Sequence, residues 1–585
     1  MQETTLDLPL IVCGQSRYPK DVPRGQVHSL RYENGLTIRV PMLLERDVDI
    51  MEGSAASIDE ELARLTLPEI ITFLGEVGER WNARELAGRR LVRRYAHLVT
   101  QFSDIMMERD YETIGHFLMQ RWHAYDEIES QFGNQRIFDE WIPVQMAYRK
   151  AFPRGLVLHY LVGNLPLASM YSIVRGVLTK NRTLAKLPTR DPISPVGLVQ
   201  AIIAVDPDHP VSRSLSLAYW PHDDVVGDRC MRSVDAACVW GGKEAVEAVK
   251  RRIPANVPLA EFGPKWSASA IDLTQCDVDQ AAMRVVEDSS FYDQEACFNT
   301  QRAYVKGDIE PFVAALQRHF STFSRNLPFV STNRDILAHR SMTLLEARYM
   351  GFRVECGDDW AIVVLPPDQA DLPHPLGRTL FVHPVDDLGS IADYLNRDSQ
   401  TLGVYPWEVV DAHRDQWAAA GADRMVEMGF SRMPRAGFTH DAMLTMHAFV
   451  RLVSIERPWS DAGRYYTRRS DPAQHYLVER YAEVRKVMNA DGAGVEDVGE
   501  SLSPVGASKE HRRWSRVRRG RASPGCVVGG LIVSLDKSLP VARLTTEAGR
   551  PRCRTARSEA PLGIGGRIRV RSRRGSRAGS VGAPT

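Results

Sequence analysis

A cysteine set among small and polar residues is the first feature of this chain that could do chemistry. Cys297 stands in FYDQEACFNTQR, between a helical stretch and the apolar run AYVKG. A thiolate there could act as a nucleophile. A free cysteine is more often a small buried hydrophobe. Cys230, Cys238, Cys276 and Cys356 lie on or beside apolar stretches and read that way, and local sequence leaves both readings of Cys297 open. The eight cysteines, at 13, 230, 238, 276, 297, 356, 526 and 553, form no CxxC pair, so reduced cytosolic thiols are expected. A second candidate is His440 with Asp441, before AMLTMHAFVRL, read as opening a helix. A capping aspartate beside a packing histidine is the simpler account of that pair. His159, inside an apolar run, reads as core. There is no HExxH, no clustered ligand set and no P-loop, so neither a metal nor nucleoside triphosphate chemistry is expected.

These residues need a scaffold, and the apolar pattern predicts one. From Gly155, short apolar runs alternate with helical patterns at the length of βα units. LVLHYLV, TLAKL, SLAYW, AACVW and VPLAEF read as strands. LASMYSIVRGVL, a stretch opened by Ser194 and Pro195, the region 223–234 and KEAVEAVKRR read as the helices between them. Five strands with intervening helices predict an open parallel sheet that binds ligands at its C-terminal edge. Gly155 to Val174 is uncharged for 20 residues, but His159, Gly163, Asn164 and Pro166 at its centre favour a buried strand, turn and helix over a membrane span. Upstream, 1–57 mixes alternating stretches such as LTIRVPMLL with turns. Residues 58–150 read as amphipathic helices, beginning at the cap-like Ser57 and Asp59. A second α/β segment has strands at AYVKG, FRVEC, AIVVL and TLFVH, and helical patterns resume from His440 to about Asn489.

Five motifs occur in order: GNLP at 163–166, NRTLAKLPTRD at 181–191, VWGGKEAV at 239–246, EFGPKWSASAID at 261–272 and DQEACFNTQ at 293–301. The series resembles the aldehyde dehydrogenase superfamily, and within it the LuxC-type acyl reductases, the reductase component of the bacterial luminescence fatty-acid reductase complex. The resemblance covers about 1–488 and is strongest from 155 to 302. It implies an α/β, aldehyde-dehydrogenase-like fold. The expected parts are an N-terminal region and dinucleotide-binding domain (1–265), a catalytic domain (266–434), a C-terminal helical segment returning to the cofactor domain (435–489) and a disordered basic tail (490–585).

Carried over by residue, the resemblance makes Cys297 the acyl-accepting nucleophile. Asn164 becomes the oxyanion donor, together with the backbone N–H of Cys297, although alone it would read as a turn residue before Pro166. Lys186 matches the lysine that contacts the adenosine ribose. Thr189 and Arg190 stand where many NAD-using relatives have a ribose-binding glutamate; an arginine can pair with a 2′-phosphate, so NADPH is expected. The other reading of Arg190 is an exposed residue leading a helix. Gly241 and Gly242 match the turn where backbone meets the pyrophosphate at a helix N-terminus, without the superfamily's hydroxyl residue and spaced second glycine. Glu261 matches the general base, or is a structural carboxylate at a strand end. The resemblance also includes His440–Asp441, with Ala442 where the family tends to have glycine.

The charge pattern divides the chain. Net charge is +1 overall, yet Ser501 to Thr585 holds 19 Lys or Arg against 4 Asp or Glu, leaving 55 basic and 69 acidic residues before it. The low apolar content of the tail predicts disorder, and its arginine runs read as solvated rather than nucleic-acid-binding. The expected activity is reduction of an activated long-chain acyl group, from acyl-CoA or an acylated protein, to a fatty aldehyde. Acyl-protein synthetase and acyl-transferase partners, an oligomer of identical subunits and a cytoplasmic location go with it. An aldehyde dehydrogenase running in the oxidising direction, and a non-catalytic acyl-carrier subunit, are the alternatives.

Overall fold

The computed structural model describes residues 4–456, apart from 145, 146, 332, 370 and 371. Each apolar run between 155 and 262 is a strand: β1 (Leu156–Tyr160), β2 (Arg182–Lys186), β3 (Leu215–Ala218), β4 (Ala236–Trp240) and β5 (Leu259–Phe262). All pair in parallel in the order β5-β4-β1-β2-β3, so the chain reverses direction across the sheet between β1 and β4. Such a reversal opens a crevice at the C-terminal strand ends. An N-terminal hairpin, Leu10–Val12 with Gln15–Arg17, extends the β3 edge in antiparallel fashion, which the sequence pattern did not suggest.

Helices α1 (Pro166–Leu178), α2 (Ile193–Val205), α3 (Val225–Arg232) and α4 (Lys243–Lys250) cross between the strands. Ala185, Leu187 and Leu217 pack one sheet face against Ile173 and Val177 of α1 and Val196 and Val199 of α2. Leu158, Leu184 and Ala218 pack the other face against Cys230 and Met231 of α3. Each buried Leu, Ile or Val of this kind contributes roughly 1.5–3 kcal/mol. His159 is fully buried and bonds Ser172 at 2.9 Å.

The second sheet comprises β6 (Trp266–Asp272), β7 (Thr300–Lys306), β8 (Arg353–Cys356), β9 (Ala361–Val364), β10 (Thr379–Pro384), β11 (Ser399–Tyr405) and β12 (Arg424–Glu427). Its order is β8-β9-β10-β7-β6-β11-β12, parallel except at the β8 edge. Helix α5 (Val278–Ser290), capped by Asp277, packs Val285 and Val286 on Ile271 and Val305 and delivers the chain to Cys297.

Two expectations are corrected. The helix placed at Ser57 starts at Ala55: Ser57 lies inside it and bonds Glu61 at 3.1 Å, while Asp59 pairs with Arg182. The helical pattern expected from His440 is, as far as Glu456, a tight turn, a short 3₁₀ stretch at Thr445–Phe449 and a strand, Val450–Glu456. That strand pairs antiparallel with Ala147–Pro153. Residues 457–489 and the basic tail lie outside the described residues.

Candidate active site

Between α5 and β7 the chain makes a turn that L-residues rarely adopt. Tyr292, Asp293 and Gln294 have φ of 52°, 50° and 68°. Left-handed backbone costs about 1–2 kcal/mol per residue, so these three cost about 3–6 kcal/mol together. Side-chain locks offset the strain. Tyr292 donates to the buried carboxylate of Asp110 at 2.5 Å, and Asp293 accepts from the fully buried Arg378 at 2.8 Å. Gln294 bridges the carbonyls of Thr300 and Thr379 and accepts from Thr379 N–H. The turn holds Cys297 at one position rather than on a pliable loop.

Cys297 is half-buried and packs at the edge of the large apolar core of the first lobe. Its own backbone, that of Phe298 and the Gln400 amide lie near the sulfur and favour the thiolate. Burial, reinforced by the Asp441 charge, nevertheless pushes the thiol up to about 11. Buried Cys238 is also pushed up to about 11 and accepts from Ser172, so neither acidity nor donors single Cys297 out; its place just after the left-handed turn, on a loop that Asn164 holds, does. Ser267 donates to the Cys297 carbonyl at 2.7 Å and accepts from Thr401 N–H, tying the nucleophile loop to β6 and β11. Asn164 reaches this loop from the first lobe. Its Nδ2 donates to the Glu295 carbonyl at 2.7 Å, and its Oδ1 is buried without a partner among the described residues.

His440 and Asp441 open no helix. His440 N–H bonds the Met443 carbonyl at 3.0 Å and Met443 N–H bonds back at 2.9 Å, closing a turn with Asp441 and Ala442 at φ 48° and 59°. Positive φ at both central residues is the type I′ pattern, which accounts for glycine being favoured at 442. The turn brings Asp441 to Gln400, 2.6 Å away, and so to the nucleophile. His440 packs against Trp240 and Phe262, and burial lowers its pKa to about 3. It is therefore neutral near pH 7, and its 3.6 Å approach to Asp441 is not an ion pair.

Glu261 is not brought to the nucleophile. Strand alternation gives the face beside His440 to Phe262, and Glu261 on the opposite face pairs with Lys250 of α4 at 2.5 Å, both groups partly exposed. At the cofactor edge, the Lys186 ammonium lies over the rings of Tyr160, 4.6 Å away, and Tyr219, 5.4 Å away. No carboxylate pairs with it among the described residues, and burial lowers it to about 8. Thr189 is exposed, its carbonyl held by the Tyr32 hydroxyl. Gly241 N–H bonds the Phe262 carbonyl, and Gly242 caps α4 with open space where a Cβ would stand.

Arg190 does not await a phosphate. Its guanidinium forks onto both carboxylate oxygens of Glu295, donates to the Thr100 carbonyl at 2.8 Å and lies over Phe102. Sequence reasoning missed Tyr219, Gln400, Glu295 and Arg424, a partly buried arginine whose guanidinium donates to the Ser431 carbonyl and whose charge acts on Cys297. Only Glu295, two positions before the cysteine, carried a local signal.

A buried Lys186 lacking a counter-anion and an uncrowded helix N-terminus at Gly242 fit the phosphate and ribose groups of a dinucleotide. The two parallel sheets define an aldehyde-dehydrogenase-like α/β fold, and the chain covers 99% of aldehyde dehydrogenase 21 from Physcomitrella patens over 78% of its own length, at 13% identity and a TM-score of 0.60. The acyl-CoA reductase (LuxC) family model matches residues 62–452. Long-chain acyl-protein thioester reductases are among its relatives. That of Vibrio harveyi is 36% identical over 402 residues, 68% of this chain and 84% of the relative. That of Aliivibrio fischeri is 34% identical over 487 residues, 82% and 98%. The chain belongs to the LuxC acyl-CoA reductase family and is an acyl-reducing oxidoreductase.

Proposed function

We propose that this enzyme reduces activated long-chain acyl groups to fatty aldehydes with NADPH, through an acyl thioester on Cys297. The acyl donor is an acyl-CoA or an acylated partner protein, because a free carboxylate is too poor an electrophile. The Cys297 sulfur adds to the acyl carbon, and its proton passes to the sulfur of the departing donor. The backbone N–H groups of the nucleophile loop, with the free amide hydrogen of Asn164, stabilise the oxyanion until the donor's thiol leaves. NADPH, when bound, supplies the hydride. After its delivery to the thioester carbon, the thiohemiacetal on Cys297 collapses, breaking the C–S bond and releasing aldehyde and free thiol.

The observation that carries this reading is a cysteine fixed by the left-handed turn on a loop held by Asn164, the expected oxyanion donor. Lys186, and Thr189 in place of a carboxylate that would repel a 2′-phosphate, support NADPH; Arg190 contributes nothing to that preference. The ion pair of Glu261 with Lys250 removes the base that hydrolysis of the thioester would need, which favours reduction over aldehyde oxidation. Incubating the protein with acyl-CoAs of graded chain length, with NADPH and NADH in parallel, should yield aldehyde and oxidised cofactor. Cys297→Ala should abolish covalent labelling by radiolabelled acyl-CoA. Labelling that persists, or no consumption of NADPH with any medium or long acyl thioester, would refute the proposal.

A further inference from the structure

We propose that Arg190 and Glu295 are a positioning pair that sets Cys297 against the oxyanion turn, and that Arg190 takes no part in binding the cofactor. Three motifs far apart in sequence meet at this pair. Arg190 follows Thr189 on the loop after β2, Glu295 precedes Cys297 by two residues, and Gly163–Asn164 form the turn after β1. A Cβ on Gly163 would stand 2.7 Å from the Arg190 Cβ and 3.0 Å from Asp191 N, so that turn lies directly on the arginine's backbone. Asn164, on the same turn, holds the Glu295 main chain through its 2.7 Å bond to the carbonyl. Glu295 is thus gripped at both ends, by Asn164 at its carbonyl and by the Arg190 fork at its carboxylate.

The surroundings leave Arg190 little freedom for a second partner. Glu295 is 7% exposed, and the charged groups facing the guanidinium besides Glu295 are Asp191 and Asp293, both carboxylates. Phe102 covers one face of the guanidinium, and Thr100 takes a further N–H. A planar fork is what a bidentate carboxylate contact needs, and lysine cannot reproduce it. Shortening or neutralising either member frees the Glu295 segment to drift, and a sub-ångström displacement of a nucleophile relative to its oxyanion donors is costly in rate.

The inference rests on Cys297 being the acylated residue, and its test separates the two. Glu295→Gln, Arg190→Lys and the exchanged pair Arg190→Glu with Glu295→Arg are compared with the parent in three measurements. These are the cofactor-free rate of Cys297 acylation from radiolabelled acyl-CoA, the rate of Cys297 alkylation by iodoacetamide read by peptide mass spectrometry, and the KM values for NADPH and NADH. Each single variant should acylate at least tenfold more slowly, with both KM values within twofold of the parent, and the exchanged pair should regain part of the loss. Arg229→Gln, which breaks a surface network with Glu45, Asp49 and Glu52, serves as the control and should change none of these. A tenfold rise in KM for NADPH alone in Arg190→Lys, with acylation intact, would overturn the proposal, as would unchanged acylation in Glu295→Gln. If Glu295→Gln does not fold, Arg190→Lys carries the same comparison. A parent that is never acylated would refute the reductase mechanism instead, and the alkylation rates would still judge the pair.

Discussion

Gln400 stands between Cys297 and Asp441: its amide donates to the Asp441 carboxylate at 2.6 Å and lies near the cysteine sulfur. A thiol pushed up to about 11 and an anion relayed to it through one amide make the resting nucleophile a protonated one. Alkylation of Cys297 in the free enzyme should therefore keep rising with pH beyond 9. The negative charge of Asp441 disfavours the thiolate, so Asp441→Asn should shift that profile to lower pH. Arg424, the cation facing the sulfur, acts in the opposite sense, and Arg424→Gln should shift the profile upward. Rates of iodoacetamide labelling across pH check both; a profile for Asp441→Asn that stays put or moves upward contradicts the relay.

Asn164 brings a side-chain amide to the nucleophile loop from the first lobe. Asn164→Ala should slow acyl-enzyme formation by about 10²–10³, the usual loss for one oxyanion donor. Rapid-quench measurement of the acyl-enzyme tests this, and a loss under fivefold would exclude the assignment.

Lys186 is a buried cation in want of an anion. Lys186→Met should raise the KM for NADPH tenfold or more, roughly 1.4 kcal/mol of binding. Thr189→Glu should weaken NADPH more than NADH, because the new carboxylate repels only the extra phosphate. Steady-state kinetics with both cofactors decide, and equal effects on the two would contradict the placement of the 2′-phosphate near Thr189.

Asp110, buried under Tyr292, is held up at about 7 by desolvation, far above its ordinary 3.8. The native state keeps that proton to higher pH than the unfolded chain does. Its stabilising contribution is therefore complete below about pH 4 and is lost as pH rises through 7. Asp110→Asn still accepts the tyrosine hydroxyl and carries no charge. It should flatten the fall in melting temperature between pH 5.5 and 8.5, though Asp191, Asp288 and Asp293, each raised to about 6, will leave a residual slope below pH 7. An unaltered slope in the variant would show that Asp110 is not the group responsible.

The first sheet was legible in the sequence because each of its strands is a short, nearly unbroken apolar run bounded by a turn. In the second sheet, β6 and β11 escaped the pattern for a functional reason. Their Ser267, Ser269 and Thr401 hydrogen-bond the nucleophile loop and the neighbouring strand, so they read as polar loop. Motif order singled out Cys297, Asn164 and Lys186. The Glu295 partner of Arg190 was not legible, because it lies 105 residues away and no local pattern reports such a pairing. Glu261 misled for a related reason: its motif is intact, but the Lys250 that claims it is set by helix packing.

The strand Val450–Glu456, zipped to Ala147–Pro153 just upstream of β1, changes what the second sheet is in topological terms. Every strand from β6 to β12 lies between two visits of the chain to the first lobe, so the second sheet is an insertion rather than an appended bead. Its host is finished only by pairing residues some three hundred positions apart. Such long-range closure is slow, because loop entropy is lost before the contact is made. The host lobe therefore completes its folding after the insert has been synthesised. Two chain crossings, at 263–265 and 428–439, then tether the lobes, limiting relative motion to a hinge through those crossings rather than free swivelling.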